Sequence, residues 1–168
     1  AGKPMLARVI ATVSAVAPGA PVLCGPALEQ RAKAPWLEAA LAEDAVRWLP
    51  PAPSPARSAE ALWSQAEAEG CALLLTTGDH PLLTPETLRA FWAAAEQGDH
   101  EVAVGLASYP AVRAAFPGSR RTAQRFSDGA YCGTNLFYFR GGRAGACSPF
   151  GVKWKPCESV QTRCFVPW

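Results

Sequence analysis

Three consecutive leucines, Leu73, Leu74 and Leu75, sit at the centre of the stretch CALLLTT, residues 71–77. A strand with one face in water alternates apolar and polar residues, because successive side chains point to opposite faces. A strand that is apolar at every position needs cover on both faces, which helices packed on either side of a sheet provide. The run then stops on Thr76, Thr77, Gly78 and Asp79, with Pro81 fixing the backbone just beyond. A covered strand that ends on a glycine and a lone carboxylate constrains fold and chemistry together.

The rest of the chain supplies the helices. Pro4 suits a first helical turn, and Met5, Leu6, Val9, Ile10 and Val13 recur at helical spacing. A short strand is expected at Val22–Cys24, then a helix over residues 27–41 with a break at Pro35. After a proline-rich loop, a helix is expected over residues 58–69, stopped by Gly70. Thr84 caps a further helix that has Pro85 at its first position and ends at Gly98. Residues 100–108 form another strand, residues 111–116 a short helix, and GTNLFYFR, residues 133–140, the last clear strand. Strands alternating with helices predict a three-layer α/β domain with a mostly parallel sheet. Residues 1–146 are expected to form that single domain, with no internal repeat.

Bulk properties exclude several classes. At 168 residues, with 49% hydrophobic and 18% charged residues, the chain is globular rather than disordered. A net charge of +2 gives no broad footprint for nucleic acid. No apolar run approaches the roughly 20 residues that span a bilayer, and no secretory leader pattern opens the chain. Cys24, Cys71 and Cys132 are widely spaced in apolar contexts and are expected to be free thiols, which places the protein in the cytoplasm.

Residues 147–168 differ from the rest. They hold three of the six cysteines and two of the six tryptophans, with neither helical nor strand periodicity. Cys147, Cys157 and Cys164 lack close-pair spacing and a nearby histidine, which argues against zinc. A disordered tail is one reading. The other is a frameshift: back-translated codons read from the third base permit an amphipathic, charged helix of ordinary composition. The tail is therefore expected to be aberrant.

Ligands of open α/β sheets bind beyond the carboxyl ends of the strands, which is where Asp79 falls. Gly78 allows close backbone approach, and Pro81 stiffens the exit. A carboxylate at a strand tip suits Mg²⁺, which takes one or two carboxylates together with substrate phosphates. A carboxylate that merely caps the turn is the alternative.

GKPML at residues 2–6, followed in order by GDHPLL at residues 78–83, resembles the MobA-like nucleotidyltransferase domain, also seen in sugar-phosphate nucleotidyltransferases. The likeness covers about residues 1–145, and GTNLFYF is similar to the family's acceptor-side strand. It implies the Rossmann-like, nucleotide-diphospho-sugar transferase type of fold. It further implies an Mg²⁺-dependent transfer of an NMP moiety from a nucleoside triphosphate to a small, phosphorylated acceptor, with pyrophosphate released. By the same resemblance Asp79 is the catalytic metal ligand, and Ser54, Pro55, Ala56, Ser58 and Gly78 join it in lining the nucleotide. Gly133, Thr134 and Asn135 face the acceptor. At Ser58 a plain helix N-cap is an equal alternative. Arg120, Arg121 and Arg125 lie in a basic stretch that can meet phosphate or simply face solvent, and His80 and His100 are read as surface histidines.

The departures carry expectations too. The family opens with a strand and a glycine-rich loop whose Arg and Lys bind the triphosphate, and Gly2-Lys3 is the only nearby remnant. The chain is therefore expected to be N-terminally truncated and inactive by itself. The family's second metal ligand has no evident counterpart. Two rivals stand beside this reading. A nucleotide-sugar glycosyltransferase usually shows paired acidic residues, whereas Gly78 and His80 flank a single Asp. A non-catalytic nucleotide- or partner-binding module is the other.

Overall fold

Apolar residues at helical spacing build α1 (Met5–Ser14), the first element of the computed structural model, which describes residues 2–98, 100–141 and 163–165. Strand β1 (Val22–Cys24), helices α2 (Leu28–Arg31) and α3 (Pro35–Ala42), and strand β2 (Arg47–Leu49) follow. The helical break expected at Pro35 is present, with Pro35 opening α3. β2 was not expected from the sequence, because three residues are too few to show a period. Helix α4 (Pro55–Ala68) starts three residues before its expected position. The cap is Ser54, whose hydroxyl accepts from Arg57 N at 3.3 Å, and Pro55 supplies a preset first turn.

Strand β3 (Leu73–Thr76) leads through the Asp79 turn to α5 (Pro85–Gln97), which Thr84 caps by accepting from Thr87 N at 3.2 Å. Then come β4 (Val102–Ser108), α6 (Tyr109–Ala115), β5 (Gln124–Phe126) and β6 (Gly129–Phe139). The basic stretch expected to be a loop thus contains a strand and a hairpin, turned at Ser127-Asp128 with Phe126 opposite Gly129. The expectations for residues 147–168 fall outside the described residues, except that the backbone of β7 (Arg163–Phe165) runs parallel to β4.

The α/β architecture is as expected, but the sheet is not mostly parallel. β1 and β2 form a parallel pair. In the second sheet, ordered β3-β6-β4-β7, strand β6 is antiparallel to both β3 and β4 and also pairs with β5. β3 and β4 therefore share one direction, and the β5–β6 hairpin brings the chain back between them. Helix α5 covers one face, where Leu88, Phe91 and Ala95 pack with Ala103, Leu136 and Tyr138. The other face meets α4, where Trp63 lies 5.6 Å from Phe139 between ring centroids. Arg140, just after β6, ties the sheet to the C-terminal end of α5 by donating to the carbonyls of Glu96 (3.2 Å), Gly98 and His100 (3.0 Å). Those carbonyls include helix-end acceptors that otherwise lack partners.

Between β1 and β3 lies an apolar cavity of about 370 Å³, walled by Leu6, Val9 and Ile10 of α1, Leu62 of α4, Leu23 and Leu74. It explains why Leu73, Leu74 and Leu75 are half-buried rather than enclosed, as their apolar sequence predicts. Their strand is paired along β6, and the cavity lies against it.

The β4–β6 register contains an irregularity: two residues along β4, from Val104 to Leu106, correspond to four along β6, from Phe137 to Gly133. β6 bulges there, and Gly105 makes room for it. A Cβ at Gly105 would overlap the Thr134 hydroxyl and come within 3.0 Å of Leu136 Cβ, whereas one at Gly133 would meet nothing within 4 Å. Gly105→Ala should therefore lower stability by about 1–3 kcal/mol, the range for overpacking a filled interior. Gly133→Ala should change it far less. Urea unfolding of both variants measures the difference.

Candidate active site

β3 ends at Thr76, and the turn that follows carries the carboxylate. The Thr77 hydroxyl donates to Asp79 Oδ1 in a short hydrogen bond that fixes the carboxylate's orientation while leaving Asp79 exposed. The turn closes as Leu83 N donates to the His80 carbonyl at 3.1 Å. Gly78 permits a close approach, and the group that approaches is Leu6 of α1: its Cδ1 lies 2.9 Å from where a Cβ would stand. A larger residue at position 78 would require the Leu6 side chain to shift.

Strand β6 brings the second part of the site. Leu136 pairs with Thr76, the last residue of β3, and Asn135 is its neighbour along β6 at that end of the pairing. Gly133, Thr134 and Asn135 were expected at the mouth of a strand. They lie inside β6 instead, because the hairpin starts the strand at Gly129. Asn135 has a φ of 55°, a left-handed conformation that is uncommon for a residue with a side chain and most accessible to Asn, Asp and Gly. Bulges of this kind re-aim side chains and recur beside active sites.

Polar atoms near these two segments lack partners. Thr76 Oγ1, His80 Nδ1 and Thr134 Oγ1 are buried without a hydrogen bond among the described residues. Buried polar atoms are usually paired, so each of these is a local cost to the folded chain. Burial, followed by the charge of Arg121, holds the His80 imidazole below its ordinary pKa, while Asp79 acts in the opposite direction. His80 thus sits among charged groups, where the sequence had pointed to an ordinary surface role. Arg121 enters from the stretch before β5, and its Nη2 donates to the Gly133 carbonyl at 3.5 Å. No sequence signal marked the closeness of His80 and Arg121, since it depends on how that loop folds back.

The residues at the start of α4 are tied into their own helix turn. Ser54 caps the helix, and the Ser58 hydroxyl accepts from Ala52 N at 3.1 Å, so the N-cap reading belongs to Ser54 and not to Ser58. Pro55 and Ala56 are exposed in the first turn. No hydrogen bond among the described residues joins this turn to Asp79.

Asp79 makes no ion pair among the described residues, and no group of three or more His, Cys, Asp or Glu side chains gathers there in a way that could hold a metal ion. A zinc-type cage is thus absent from the described residues. One exposed, oriented carboxylate is still the kind of protein ligand that Mg²⁺ uses when substrate phosphates and water complete its shell. No described helix is long and apolar enough to cross a membrane.

The model of the MobA-like NTP transferase domain family matches residues 1–131. A solved structure described as a hypothetical transferase from Thermus thermophilus superimposes with a TM-score of 0.58 at 26% identity. The match covers 83% of this chain and 53% of that one, so the chain spans about half the length of its structural neighbour. No curated protein matches.

The left-handed backbone of Asn135 separates its structural role from its side-chain role. Asn135→Ala should lose about 1 kcal/mol of stability, the lower end of the left-handed penalty for a residue with a Cβ. Asn135→Gly should match or exceed the parent, because glycine adopts this φ freely. Thermal unfolding of the pair checks the assignment.

Proposed function

The chain belongs to the MobA-like NTP transferase domain family, and from that membership we propose that it serves an Mg²⁺-dependent nucleotidyl transfer. An NMP moiety passes from a nucleoside triphosphate to a small, phosphorylated acceptor, and pyrophosphate leaves. The observation that carries this reading is the exposed Asp79 carboxylate at the end of β3, oriented by Thr77 and flanked by the β6 bulge at Asn135.

In the reaction, an acceptor oxygen forms a bond to the α-phosphorus while the bond from that phosphorus to the bridging β-phosphate oxygen breaks. The electron pair of the broken bond leaves with pyrophosphate. Such transfers depend mainly on alignment and on neutralising negative charge. Asp79 would hold the Mg²⁺, which when bound screens the phosphate charge. Thr77 keeps the Asp79 carboxylate aimed by its hydrogen bond. The Asn135 amide, a donor and acceptor in one group, faces the acceptor and orients its attacking oxygen. Ser54, Pro55, Ala56 and Ser58 at the start of α4 line the base and ribose, with Gly78 shaping the turn between the two substrates. The free thiols of Cys24, Cys71 and Cys132 suit a reducing compartment, the cytoplasm in this reading.

Asp79→Asn tests the proposal. It should weaken Mg²⁺-dependent binding of nucleoside triphosphate at least tenfold in calorimetric titration. Stability should stay within about 0.5 kcal/mol, as expected for a surface substitution. Unchanged Mg²⁺-dependent binding would assign Asp79 to the turn alone. Asn135→Gly, which preserves the backbone, should weaken acceptor binding by about 1–3 kcal/mol through unpaired polar groups, with nucleotide binding unaltered.

A further inference from the structure

One charged group reaches the β6 bulge from outside the strand. Arg121 lies in the segment between α6 and β5, and its guanidinium donates to the Gly133 carbonyl on β6. It therefore stands at the bulge, where Gly133 lies two residues along the chain from Asn135. Its hydrogen bond to Gly133 is long, at 3.5 Å, and Arg121 makes no ion pair among the described residues. A guanidinium has five donors in a planar fork, so most of its capacity is uncommitted. The side chain is exposed, and a ligand has access to it.

The other two arginines of the basic stretch are placed differently. Arg125 lies in β5 opposite Ala130, three residues before Gly133 on β6. Arg120 is exposed, and of the three side chains only that of Arg121 donates to β6 among the described residues.

We infer that Arg121 is the residue that selects the acceptor, taking the acceptor's anionic group in its fork at the β6 bulge beside Asn135. This rests on the transferase reading above and deepens it: the acceptor presents an oxyanion, a phosphate monoester or a carboxylate, within reach of Gly133. Arginine suits both, because two parallel N–H groups match two oxygens of either group. The positive charge of Arg121 and the negative charge of Asp79 then divide the site, the first holding the acceptor anion and the second the metal-bound nucleotide.

Nuclear magnetic resonance titrations with methyl phosphate and with acetate test this without turnover. In Arg121→Gln, affinity for the preferred anion should fall tenfold or more, and Arg121→Lys should recover part of the loss. Arg120→Gln and Arg125→Gln should stay within twofold of the parent, as should Mg²⁺-dependent nucleotide binding in all four variants. A preference for methyl phosphate over acetate identifies a phosphorylated acceptor, and the reverse identifies a carboxylate; either outcome supports the inference. Equal losses in all three glutamine variants would mean a diffuse basic surface and would overturn it. So would a parent that binds neither anion, or an Arg121→Gln that loses the nucleotide but keeps the anion. Failure of the transferase reading appears separately, as Mg²⁺-dependent nucleotide binding indifferent to Asp79→Asn. Matching unfolding midpoints show that each variant is folded.

Discussion

Strand β6 is the element on which the larger sheet depends. It is hydrogen-bonded to β3, β4 and β5, and only β7 attaches elsewhere, to β4. Its apolar half, residues 136–139, alternates between the two faces. Leu136 and Tyr138 turn toward α5, and Phe139 turns toward Trp63 of α4. Its other half is polar and irregular, with the bulge and the left-handed Asn135. One strand thus joins the packed centre of the domain to the candidate site, and the change from one to the other occurs between Asn135 and Leu136.

That placement has an energetic logic. A left-handed non-glycine residue and buried polar atoms without partners each raise the energy of the folded chain. At the site, Thr76 of β3 and Thr134 and the left-handed Asn135 of β6 are such residues, and they adjoin Leu136 of the core cluster. Gly105 accommodates the bulge from β4, and Arg140 fastens the far end of β6 to α5. The surrounding packing can hold such a segment in place, so the site need not be stable by itself. Buried donors and acceptors held in one geometry are what an ordered binding site requires.

Much of this was legible in the chain. The helices announced themselves through period and caps: Thr84-Pro85 for α5, and the apolar stripe of α1. The run at Leu73–Leu75 gave the strand and its end at Asp79. What was hidden was direction. A helix–strand alternation implies parallel neighbours only when each connection crosses the sheet. The β5–β6 hairpin reverses the chain through a two-residue turn, Ser127-Asp128, inside a stretch whose charge made it look like a loop. The same reversal moved Gly133, Thr134 and Asn135 from the mouth of a strand into its middle. The proximity of Arg121 and His80 was invisible for a different reason. Forty-one positions separate them in the chain, and neither local pattern nor composition encodes a loop's path back across a sheet.

Leu6 shows how the apolar interior reaches the chemistry. It lines the cavity between β1 and β3, and its Cδ1 also lies against Gly78, one residue before Asp79. The cavity wall and the carboxylate-bearing turn therefore share a side chain. Close-packed contacts transmit displacement, since a shift of even a methyl group must be accommodated by its neighbours. A change in how α1 seats on the cavity would move Leu6, and Gly78 has no side chain to resist that movement. The lone glycine before Asp79 thus has a physical explanation within the fold. It lets α1 close over the strand tip, and by doing so makes the position of the carboxylate depend on the packing of a helix 72 positions away in sequence, counted from Leu6 to Gly78.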